Sequence, residues 1–192
     1  KKLLTLVLFL GIGQSILAYI GFYQITNDFP PRFILLLPPS ILLLIYGLQP
    51  KQRKQFTANH NLRIGTFLHT VRVPVEITLY YLFIYKMVPE LMTFEGRNFD
   101  ILAGITAPIV VLFYLKNKIG TKGLLIWNIV CLGLVSFVLL NGVLSSELPF
   151  QLFAFEQPNR GMSYFPFILL PAIVVPMVIF THLIAIFRLL EK

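Results

Sequence analysis

The chain has 192 residues, 57% of them hydrophobic and only 12% charged, with a formal net charge of +8. A soluble domain carries about 25% charged residues, and here the apolar residues come in blocks long enough to cross a bilayer, which excludes a water-soluble globule. Only helices or a closed barrel satisfy their backbone in hydrocarbon, and these blocks lack the alternation of barrel strands, so the expectation is an all-α membrane protein.

Six blocks qualify as spans, at about 3–25, 33–48, 66–88, 99–115, 123–145 and 166–190, predicting a single transmembrane domain over 1–192 built as a six-transmembrane-helix bundle. The first block follows Lys1 and Lys2 as a signal peptide would. It runs on past Tyr19 without a good small-x-small cleavage site, so a retained span is expected. Gly11, Ser15 and Ala18 are small enough for close helix approach, and Gln14 is the one strongly polar side chain. The second block opens after "DFPPR" and holds Pro38 and Pro39, which predict a break or bend. The stretch "QPKQRKQFTANHNLRIGT" reads as the longest cytoplasmic connection, its basic residues suited to anionic lipid headgroups.

The third block contains "LHTVRVPVE". At helical spacing His69, Arg72, Glu76, Tyr80, Phe83 and Met87 share one face, which must point into the bundle. Arg72 and Glu76 are four residues apart and are expected to pair along the helix, offsetting part of the cost of an arginine within hydrocarbon. Asp100 opens the fourth block, either as a helix cap or as an interior carboxylate, on a face with Gly104, Ala107 and Val111. The fifth carries Asn128, Asn141, Trp127 and the single cysteine, Cys131, which rules out an internal disulfide. The last loop, "SELPFQLFAFEQPNRGMSYFP", is aromatic enough to lie on the membrane or to cap the bundle. The sixth block has Pro171, Pro176 and His182.

With the N-terminus inside, the cytoplasmic side holds Lys1, Lys2, Lys51, Arg53, Lys54, Arg63, Lys116, Lys118, Lys122, Arg188 and Lys192. The outer side holds Arg32, Lys86, Arg97 and Arg160, so both termini are expected in the cytoplasm. That bias explains the net charge, and with no nucleic-acid-binding motif present a nucleic-acid partner is not expected.

At "HTVRVPVE" and "MTFEGRNFDILAGITAP" the sequence resembles a group of small bacterial integral membrane proteins described only as hypothetical, mainly over residues 66 to 108. The resemblance implies a bacterial inner-membrane location and a helical fold, and no reaction.

Signatures of intramembrane enzymes, metal sites and phosphate-cradling loops are missing, so no catalytic residues, metal ligands or cofactor are expected. Ionisable groups inside a membrane mark functional sites by default. The expected ligand-binding set is His69, Arg72, Glu76, Tyr80, Asp100, Asn128 and His182, binding or transporting a small polar or amphiphilic molecule within the lipid bilayer. One alternative is a non-catalytic subunit whose polar stripe docks a membrane-protein partner or a second copy in a homo-oligomer. The other is a b-type haem held by His69 and His182.

Overall fold

The computed structural model of the chain describes residues 2–26, 28 and 30–191, and none of these residues is in a strand. Lys1 and Lys192, counted above among the cytoplasmic basic residues, lie outside them. Helix α1 runs Lys2–Tyr19 and stops where Gly21 takes a left-handed φ of 77°, short of the expected end at residue 25. It turns large apolar side chains such as Phe9 (78% exposed) outward, as a lipid-facing helix does.

The second block is one piece: a 3₁₀ segment Arg32–Leu36 leads into α2, Leu37–Leu48. Pro38 and Pro39 sit in the first turn of α2, where missing N–H groups cost little, so they do not break mid-span as expected. The sharp bend of 74° comes later, where α2 gives way to α3 (Pro50–Asn59). Gln49 there is extended, because the residue before a proline is pushed out of the helical region. The expected long loop is therefore largely helical. Helix α3 docks on the last helix: Phe56 meets Phe180 edge-on at 5.2 Å, and Arg188 Nη1 donates to the Ala58 carbonyl at 2.9 Å, capping the end of α3.

Asn61 accepts from the amides of Arg63 and Ile64 and so starts α4, Leu62–Leu68. A single 3₁₀ turn, His69–Val71, joins it to α5, Arg72–Ile84. The third span is therefore Leu62–Ile84, four residues earlier than the expected 66–88. Helix α6 is Ile101–Leu115, α7 is Thr121–Leu144, and a π-helical turn Leu170–Val174 opens α8, Val175–Leu190. Pro176 cannot donate to the carbonyl of Ala172, and Ser40 Oγ of α2 donates to it instead at 2.8 Å. That bond ties the second block to the last.

Four helices or helix runs are long and apolar enough to cross a membrane, and the bent second block makes a fifth if it counts as one span. Helix α6, with 15 residues, is about 22 Å long against a hydrocarbon core of about 30 Å. The loop after α7 caps the bundle: Gln157 Nε2 donates to the carbonyls of Phe83 and Val88, and the amides of Arg160 and Gly161 to that of Met87. Its Phe150, Phe155 and Phe165 stay exposed. The main apolar core lies beneath that cap, around Tyr23, Leu36, Leu79, Leu82, Met92 and Ile168.

Candidate functional site

A 3₁₀ turn just ahead of Pro74 carries His69 and Arg72 into the interior, where both are 2% exposed, and Glu76, one turn on, is 1% exposed. Opposite them Gly104 of α6 lies against α5. A Cβ there would sit 2.9 Å from Val73 Cγ2 and 3.2 Å from Arg72 Cβ, so only a glycine admits this approach. The approach brings Asp100 to the arginine. Arg72 Nη1 donates to Asp100 Oδ1 at 2.8 Å, and the two form the sole buried ion pair among the described residues. Among the same residues Asp100 makes no side-chain cap bond, which resolves its two expected roles in favour of the interior carboxylate.

The expected pairing of Arg72 with Glu76 is not formed. Glu76 Oε2 instead accepts from Asn98 Nδ2 at 2.6 Å. Asn98 also donates to the Met92 carbonyl and accepts, through Oδ1, from the backbone amide of Asp100. A side chain reaching the amide two residues on is the common behaviour of asparagine ahead of a helix. "RNFD" was the available signal for it.

Helices α7 and α8 close the other side. Asn128 Nδ2 donates to the Leu124 carbonyl at 2.9 Å, which orients its amide and aims Oδ1 at His182 Nδ1, also 2.9 Å away. His182 must then carry its proton on Nδ1, leaving Nε2 to accept from Arg72 Nη2 at 2.9 Å. His182 is thus held as one neutral tautomer, and every bond in the row from the Leu124 carbonyl to Asp100 has a fixed direction. His69 stacks face to face on His182, with centroids 3.9 Å apart and 6° between planes, while Trp127 stands 5.7 Å from each.

That stack does not fit the haem alternative. Two axial histidines must aim a nitrogen at the iron from opposite sides of the macrocycle, whereas these rings lie in contact with no room between them. Among the described residues no three His, Cys, Asp or Glu side chains gather as metal ligands either.

Six of the seven expected residues therefore meet: His69, Arg72, Glu76, Asp100, Asn128 and His182 are one cluster. Tyr80 does not join it. It lies about 80° around α5 from Arg72 and stacks on Phe94, with centroids 5.1 Å apart. The stripe continues through Leu79 instead. His69, Arg72, Glu76 and Leu79 of the stripe are buried by the chain's own packing, while Tyr80, Phe83 and Met87 are half-buried.

Beside the cluster lies a small cleft of about 70 Å³. Its walls are mostly apolar, among them Val75, Leu79, Val135, Val138, Leu139 and Val143, and its polar end is formed by Glu76 and Asp100. Glu76 Oε1 and Asp100 Oδ2 are not hydrogen-bonded to any described residue. Arg72 does not line the cleft, because it is spent behind Asp100 and His182. Phe33 and Asn159 line both this cleft and a more polar cavity of about 60 Å³ that includes Glu147, Arg160 and Tyr164.

The chain belongs to the family described as a domain of unknown function (DUF8737), which matches residues 29–190. No curated protein and no solved structure matches it.

Proposed function

We propose that this protein binds a small amphiphilic molecule within the bilayer and moves it between the cleft and the outer face, as a six-span protein of the bacterial inner membrane with both termini in the cytoplasm. The observation that carries this reading is the apolar cleft ending on two carboxylates with free oxygens. Charge defines the ligand's head. Two carboxylates face one guanidinium, and His182 is neutral, so with both acids ionised the cluster holds one negative charge in excess. A proton can balance it in the empty cleft, and a cationic or hydrogen-bond-donating head group can balance it when a ligand is bound. With Arg72 already paired to Asp100, the cluster favours a cationic or donating head group over an anionic one. Phe33 and Asn159 line both the cleft and the polar cavity next to it, and we place the ligand's route to the outer face on that side.

The test uses protein in lipid nanodiscs and three ligands with one octyl chain: octylamine, octanol and octanoate. Octylamine is expected to raise the unfolding temperature most, octanol less, and octanoate not at all. Val138→Trp, which fills the cleft, removes the effect. Equal responses to all three, or a response that survives Val138→Trp, overturn the reading.

A further inference from the structure

We propose a second, separate site at the cytoplasmic end: a groove between α1, α2, α3 and α8 that holds one anionic phospholipid of the inner leaflet. The open groove has room for about 650 Å³ and is rimmed by Lys2, Tyr46, Lys51, Gln52 and Gln55. No acidic residue lines it, and neither lysine is ion-paired with a described residue. Leu3, Val7, Met177 and Phe180 form its apolar floor, and the same four residues line a shallow slot of about 20 Å³ that continues along α8 and the π-helical turn to Ala172. From Phe180 back to Ala172 the helix advances about 12 Å, most of the roughly 15 Å depth of one leaflet's hydrocarbon.

The groove is built before any lipid arrives. Phe180 presses on the bare backbone of Gly47, where a Cβ would come within 2.7 Å of its ring, and Phe56 meets its edge at 5.2 Å. Gln52 Nε2 donates to the Tyr46 hydroxyl at 3.2 Å, which ties α3 to α2 across their bend. A phosphate placed at the mouth meets two lysines and side-chain amides, and the acyl chain below it lies against the apolar floor and over the slot. Such preorganisation and separation of charge from apolar wall select one lipid class, whereas a diffuse basic surface attracts many.

The test is native mass spectrometry of detergent-purified full-length protein with equal amounts of phosphatidylglycerol and phosphatidylcholine. Wild type is expected to retain one phosphatidylglycerol in preference to phosphatidylcholine. Lys2→Gln and Lys51→Gln are each expected to cut that preference about fivefold. Lys54→Gln, an exposed lysine of α3 outside the groove, leaves it unchanged, and Met177→Trp, which blocks the slot, abolishes retention of both lipids. Unchanged melting temperatures show that the variants are folded, and a Val138→Trp control keeps this site distinct from the cleft. Equal binding of the two lipids overturns the proposal, as does a loss in Lys54→Gln matching that in Lys51→Gln, or retention surviving Met177→Trp.

Discussion

Replacing Arg72 with methionine removes the one cation inside the cluster. Its Nη1 lies 2.8 Å from Asp100 Oδ1, and at an effective dielectric of 20 that attraction is about 6 kcal/mol before desolvation. Much of it offsets the cost of burying both charges, and breaking such a pair from one side typically costs about 3–5 kcal/mol because the other charge is left stranded. Arg72→Met is therefore expected to lower the unfolding temperature in detergent by on the order of 10 °C for a chain of this size. Adding Asp100→Leu removes the stranded carboxylate. The double variant is expected to recover most of the loss, keeping about 1–3 kcal/mol for the unpaired Nε2 of His182. The same cycle run with Glu76→Gln in place of Asp100→Leu is expected to show much weaker coupling, because Glu76 bonds to Asn98. Unfolding would be followed by the fraction of protein still monodisperse after heating. Additive losses for Arg72 and Asp100, or equal coupling in both cycles, would refute the reasoning.

Gly104→Val is expected to cost about 1–3 kcal/mol by forcing α6 off α5, read as an earlier unfolding transition, while Gly133→Val, where a Cβ meets nothing within 4 Å, is expected to be near neutral. His60 lies in the link between α3 and α4, where burial, and next the Arg188 charge, hold its pKa below the usual 6.5. A base with a depressed folded pKa keeps full stability above the unfolded value and loses it as pH falls from about 6.5 toward the folded value; His60→Gln is expected to flatten that slope in detergent melts from pH 7.5 to 5. Cysteines placed at Lys54 and Lys118 in a Cys131→Ser background are expected to resist an impermeant label on intact cells. Those at Glu95 and Glu156 are expected to react, all four positions being exposed, and the reverse pattern would invert the orientation.

The helical class, the apolar spans and the buried face of the third span were legible because each depends on local composition or on helical periodicity. His69, Arg72 and Glu76 are interior for the reason the spacing implied. Partner choice was not legible. The i,i+4 rule sees only residues on one helix, whereas the group that pairs with Arg72 is 28 residues away and reaches it through a glycine contact between helices. Asn98 was not legible either, because its role depends on three partners brought together only by the fold: Glu76, Met92 and Asp100. Tyr80 failed for a finer reason: the buried face runs through Leu79, and a residue one step along the helix turns about 100° away. The 74° bend falls at Gln49 and not at Pro38 and Pro39, because prolines in a first turn are harmless whereas Pro50 forces the residue before it out of the helical region.

The most direct measurement of an amphiphile in the cleft is photo-crosslinking with an alkyl amine carrying a diazirine on its chain, on protein in nanodiscs, with labelled residues mapped by mass spectrometry. The expected label falls on cleft residues of α7 between Val135 and Val143 and on Leu79 of α5, and excess octylamine competes it away. Label confined to lipid-facing positions such as Phe9 and Ile12 of α1, insensitive to competitor, would contradict a binding site inside the bundle.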